Sequence, residues 1–173
     1  MRSGDGLLLD DFGDPSRAAI GTRWTVFTDR VMGGRSEARA AIVVADGVPV
    51  LRLAGEVSLA NRGGFIQAAL PLEGPEGTPL DASGFAGFRL RVRGEAPGAF
   101  LHLRTSDTTL PWEHYAAPIP LSRDWADVAV PFAAFSGRGT GRVLDPARLV
   151  RVGLVAGGGA GPARIEVARL ALG

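Results

Sequence analysis

The chain has 173 residues, 46 % of them hydrophobic, and a formal charge of +1 from 19 basic and 18 acidic residues. That length buries a core and that apolar content excludes a disordered chain, while the balanced charge removes nucleic acid and anionic membrane surfaces as partners. With no cysteine and no lysine, disulfides, thiolate metal sites, thiol nucleophiles, Schiff bases and a phosphate-loop lysine are all excluded.

The first residues, MRSGDGLLLDDFGD, hold three leucines that run at once into two aspartates. This is no signal-peptide core, and nowhere does the chain approach the roughly 20 apolar residues of a bilayer span, so a cytoplasmic protein with no membrane insertion is expected. The run 7–12 reads as a strand. Its adjacent acids Asp10 and Asp11 leave opposite faces and do not share a substrate, which leaves a structural cation beside one of them as the alternative role. A short helical turn is expected over 15–20. Strands follow at 24–27, 37–44, 50–56 and 65–70, interrupted by two double-glycine loops, DRVMGGRS over 29–36 and NRGGF over 61–65.

In GFRLRVRG, 87–94, Phe88, Leu90 and Val92 point one way and Arg89, Arg91 and Arg93 the other. After the turn signal Pro97-Gly98, the run 100–105 puts Leu101 and Leu103 opposite Phe100, His102 and Arg104. These two strands read as a hairpin, and their wet faces together form one basic concave surface or a merely solvated one. Further strands are expected at 113–119, 125–130, 150–155 and 164–170, a helical turn at 131–135, and a flexible hairpin tip at AGGGAGP, 156–162. Period-two alternation throughout, with Gly, Pro, Asp and Ser between the runs, specifies an all-β class: a sandwich or barrel, one domain over 1–173.

No catalytic constellation emerges. There is no G-x-S-x-G elbow and no dinucleotide-binding glycine pattern. The two histidines, His102 and His114, lack metal-ligand spacing, and Glu113 and Asp107 line a cleft no better than other surface acids. No enzyme, cofactor or metal site is expected. Trp24 and Trp125, in RWTVF and DWADVAV, read as core residues, whereas Trp112 in LPWEHY is open to stacking on a sugar ring.

The pattern W-x-V-x-x-D-x-V-M-G-G-x-S over 24–36, with NRGGF, resembles the complex I intermediate-associated protein 30 family. Similarity continues through FAGFRLRVRG (85–94), LHLRT (101–105), W-x-x-Y (112–115) and W-x-x-V-x-V-P-F-x-x-F (125–135). Thr28 stands where the family has Asn, and Arg62 where a small or polar residue is usual. The resemblance implies a two-sheet antiparallel jelly-roll sandwich of the galactose-binding-like type. It also implies a non-enzymatic factor assisting assembly of the NADH:ubiquinone oxidoreductase. A protein client is therefore expected, with a carbohydrate-binding module as the alternative and no nucleic-acid partner. The expected contacts are Asp29, Arg30, Met32, Gly33, Gly34 and Ser36 in the first loop, and Asn61, Gly63, Gly64 and Phe65 in the second. Arg91, Arg104, Trp112 and Tyr115 complete the set. Glycine allows positive φ and close backbone approach, so the loops form either a structural lock or a docking patch. Asp29, grouped with an arginine and a methionine, is expected partly exposed for docking, and Asn61 to act in the lock.

Overall fold

A computed structural model describes residues 6–32, 34–60 and 64–173. Twelve strands are present among them: β1 (Leu7–Asp10), β2 (Thr25–Thr28), β3 (Glu37–Ala45), β4 (Val48–Val57), β5 (Phe65–Pro71), β6 (Gly87–Glu95), β7 (Ala99–Thr105), β8 (His114–Pro118), β9 (Ala126–Pro131), β10 (Ser136–Arg138), β11 (Leu149–Gly157) and β12 (Gly161–Leu172). They form two antiparallel sheets. The first has the order β3-β4-β12-β6-β9, with β1 joining the far end of β12, and the second the order β10-β8-β7-β11-β5-β2. This is the two-sheet jelly-roll sandwich expected for the chain. No helix among the described residues is long and apolar enough to cross a membrane.

The alternation read from sequence is what joins the layers. Leu51, Leu53, Leu90, Val92, Ile165 and Val167 of the first sheet and Ile66, Leu70, Leu101, Leu103, Val152 and Leu154 of the second are all buried in one cluster. The inner face of each sheet thus leaves water against the other. At the β3–β4 hairpin, Asp46 (φ 53°) and Gly47 (φ 80°) supply the two positive-φ positions of a tight Asp-Gly turn.

Three local expectations are corrected. β6 and β7 are not a hairpin: β6 lies between β12 and β9, while β7 lies between β8 and β11 in the other sheet. A Pro-Gly turn can fold a chain back or carry it across the sandwich, and here it does the latter. Gly158–Ala160 is likewise no hairpin tip, because β11 and β12 belong to different sheets. Residues 15–20 form irregular turns rather than a helical one, whereas a 3-10 turn does form at Phe132–Ala134.

Candidate functional site

The two double-glycine loops meet around one carboxylate. Asp29 follows directly on β2 and is 0 % exposed. Its Oδ1 accepts the Ser36 N–H at 2.9 Å, and its Oδ2 accepts the Ser36 hydroxyl and the N–H groups of Gly64 and Phe65. The Ser36 hydroxyl in turn accepts from Ser58 N–H at 2.8 Å. Burial pushes the Asp29 carboxyl up, but its donors from Ser36, Gly64 and Phe65 outweigh this and hold it below the ordinary aspartate value. A Cβ at Gly34 would overlap the Asp29 side chain, so glycine there is set by close approach. The expectation of a partly exposed Asp29 is overturned: backbone donors, which the sequence DRVMG does not display, compensate the buried charge. Arg30 stays outside, with Nε donating to Ser36 O and Nη2 to Glu37. Gly33, Asn61 and Gly63 lie outside the described residues, and of Met32 only the 3-10 backbone is described.

The lock has a neighbour. It ties the end of β2 to the start of β5, the two strands that pair Phe27 with Gln67. Phe27 and Phe65 consequently meet edge to face on the outer side of the second sheet, centroids 6.1 Å apart. From this corner the outer face runs across β5, β11, β7, β8 and β10. Its floor is dry. Ala69 and Val155 are buried yet belong to no part of the core between the sheets, and Gln67 lies over Gly153 so closely that a Cβ there would collide with it. Phe100, His102 and His114 form an aromatic trail, with centroids 6.4 and 4.3 Å apart and the two imidazoles stacked. His114 Nδ1–H donates to the Trp112 carbonyl at 2.9 Å.

The charges that act most on these imidazoles are positive. Burial first, then His114, Arg151 and Arg138, pushes His102 down to about 3. Burial likewise lowers His114, aided by Arg138, Arg104 and Arg151 against the opposing hydrogen bond to Trp112. Both rings are therefore neutral at physiological pH. Arg151 lies over the Phe27 ring at 5.2 Å, a cation–π contact, and is lowered by burial and by Arg104. No group of three or more His, Cys, Asp or Glu side chains among the described residues is placed to hold a metal ion. Asp10, weighed as a cation ligand, spends its oxygens on Phe12 N–H, Ala19 N–H and the Trp24 indole N–H.

The other expected contacts separate. Arg91 is on the outer face of the first sheet beside Asp127, at 3.4 Å, so it and Arg104 look out from opposite sides of the sandwich and no joint basic face exists. Arg104 is spent on its own loop: its guanidinium donates to the carbonyls of Thr108, Leu110, Pro111 and Glu113. Trp112, on that loop, is 59 % exposed, as a stacking residue needs. Tyr115 is 2 % exposed in the core, with its hydroxyl donating to Arg142 O. Trp24 packs at the core edge, but Trp125 is not a core residue: it lies outside the first sheet beneath Arg93, at 4.5 Å, and donates to Asp46. The sequence reading passed over Phe27, Phe100, Arg138 and Arg151 as contacts and gave the histidines no joint role. The pairing of β7 with β8 brings those two rings together.

The complex I intermediate-associated protein 30 family model matches residues 11–167. The chain belongs to that family. Among solved structures it is similar to the family 11 carbohydrate-binding module of a cellulosomal cellulase of Clostridium thermocellum, at 16 % identity and a TM-score of 0.73 over 97 % of this chain and 94 % of that one. The same module from Clostridium thermocellum in complex with a β-1,3-1,4-mixed-linked tetrasaccharide matches at 14 % identity and a TM-score of 0.69 over 96 % and 94 %. A family 30 carbohydrate-binding module matches at 14 % and 0.64, over 99 % and 88 %. At these identities the likeness is one of fold. No curated protein matches significantly.

Proposed function

We propose that the chain is a non-catalytic binding module of the assembly-factor kind, which holds a protein client against the outer face of its second sheet. The client expected from the family is a subunit or intermediate of the NADH:ubiquinone oxidoreductase. The observation that carries the reading is the surface described above: a dry floor edged by Phe27, Phe65, Phe100 and stacked neutral imidazoles, held in place by the Asp29 lock. Half-buried rings around a water-poor centre are what protein recognition uses, because they supply contact area at low entropic cost. The glycine loops serve this face by fixing its corner.

A second reading, a carbohydrate-binding module, is favoured by the solved structures that share the fold and by the exposed plane of Trp112. Affinity capture from the native organism, read by mass spectrometry with Phe100→Ser as the comparison bait, tests the first. Subunits of the respiratory complex are expected on the wild-type bait and depleted on the variant. Titration with mixed-linked β-glucan tests the second. Saturable binding tighter than roughly millimolar and lost in Trp112→Ala would replace the protein reading with the carbohydrate one.

A further inference from the structure

The two sheets differ in where their acids are. Each strand of the first sheet carries one: Asp10, Glu37, Glu56, Glu95, Asp127 and Glu166 in β1, β3, β4, β6, β9 and β12. The strands of the second sheet carry none, although they bear Arg104, Arg138, Arg151, His102 and His114. Register lines most of these up. Arg151 pairs with Arg104, Leu103 with Tyr115 so that Arg104 comes beside His114, and His114 with Arg138. The result is a basic row crossing four adjacent strands, ~14 Å long at ~4.8 Å per strand.

Within this row Arg104 is satisfied by loop carbonyls, and Glu113, in the loop entering β8, takes the N–H groups of Thr109 and Leu110. Arg138 and Arg151 have neither an acid nor a hydrogen-bond acceptor among the described residues. Arg151 is half-buried besides. A partly desolvated cation with no counter-charge is costly, and an incoming carboxylate removes that cost. Resting on the client-binding reading above, we infer that the row receives an extended acidic segment of the protein partner, with carboxylates on Arg151 and Arg138 and alternate apolar side chains against Phe27, Phe65 and Phe100. A polypeptide fits better than an acidic polysaccharide. The Phe27 and Phe65 rings are packed edge to face at 83° rather than laid flat for a sugar ring, and an apolar wall beside a charged row calls for both kinds of side chain on one ligand.

The probe is a fluorescein-labelled peptide of about ten residues alternating glutamate with phenylalanine, enough to cross the row at roughly 3.3 Å per residue. Its anisotropy is followed with the full chain, beside a counterpart with serine for glutamate and with polygalacturonate as competitor. The glutamate peptide is expected to bind, to weaken at least tenfold in Arg151→Glu and in Arg138→Glu, and to weaken with added salt, while Arg91→Glu on the opposite face leaves it unchanged. Thermal melts confirm that each variant is folded. No binding below about a millimolar, equal binding of the serine peptide, or indifference to both row variants overturns the inference. Preferential binding of polygalacturonate overturns it too and moves the ligand to acidic polysaccharides. Its failure is separable from that of the module reading: a client captured equally by wild type and Arg151→Glu sinks the acidic segment and spares the module. Peptide binding with no client captured does the reverse.

Discussion

The outer faces of the two sheets solve the same problem in opposite ways. On the first, Glu166 is buried between Arg52 and Arg93, at 2.8 and 3.0 Å, and Arg93 reaches on to Asp46 at 2.7 Å while covering the Trp125 ring. Arg91 meets Asp127, and Arg123 meets Glu95. Most of the acids there are closed within the molecule, although Arg39, Arg89 and Arg169 on the same face have no ion pair among the described residues. On the second, arginines and imidazoles lie among aromatic rings with no acid on any strand. A closed network satisfies its own charges and leaves little for a partner, whereas an open one leaves cations without a counter-charge and keeps interaction capacity.

The sharpest way to break this contrast is to open the closed face. Glu166→Gln removes the acid that two guanidiniums share, and is expected to cost about 2 kcal/mol, below the usual range for a broken buried pair because both arginines are partly exposed. Chemical denaturation measures it, and peptide binding on the other face should be unaffected. Comparable in size is the lock beneath the open face. Asp29→Ala is expected to cost about 1–3 kcal/mol by stranding two buried donors of Ser36 and the half-buried N–H groups of Gly64 and Phe65, and to weaken client capture by loosening the Phe27–Phe65 corner. Because the folded Asp29 value is depressed, its contribution is present above the ordinary aspartate value near 3.8 and is lost as pH falls through the lower folded value; the gap between wild type and variant should close there.

The imidazoles act only in acid. His102 is lowered from 6.5 to about 3, so between those values the unfolded chain binds a proton that the folded one refuses. Stability therefore falls as pH drops from 6.5 toward 3 and is flat above, by at most about 1.4 kcal/mol per pH unit. A pH series of melts should show a shallower slope in His102→Phe; an unchanged slope would mean that the ring is solvated. The smallest effect comes from partly closing the open face. Ser136→Glu puts an acid two residues from Arg138 on its own exposed strand, and should shift stability by under about 0.5 kcal/mol while measurably weakening the glutamate peptide.

Eleven of the twelve strands were legible as alternation, because side chains in a half-buried strand must obey period two. β10, Ser136–Arg138, was not, since three exposed residues carry no pattern. Which sheet a strand joins was also hidden. Pro97-Gly98 has the same chemistry whether it reverses β6 onto itself or sends the chain over to β7, so the basic face read across those strands does not form. The acid-free strands were visible as residues, but their meaning depends on the order β10-β8-β7-β11-β5-β2. Asp29 was misread for a related reason: what compensates its burial is backbone N–H, which every residue but proline carries and no sequence pattern marks.

The three indoles also sit in three different surroundings. Trp24 is tethered to Asp10 and Trp125 to Asp46, both through the indole N–H, and only Trp112 projects into solvent, its own carbonyl holding His114 within the basic row. Iodide should therefore quench one fraction of the intrinsic emission readily and spare the rest. Whatever settles on the row shields that fraction. The molecule thus carries its own optical gauge of occupancy, readable without a label.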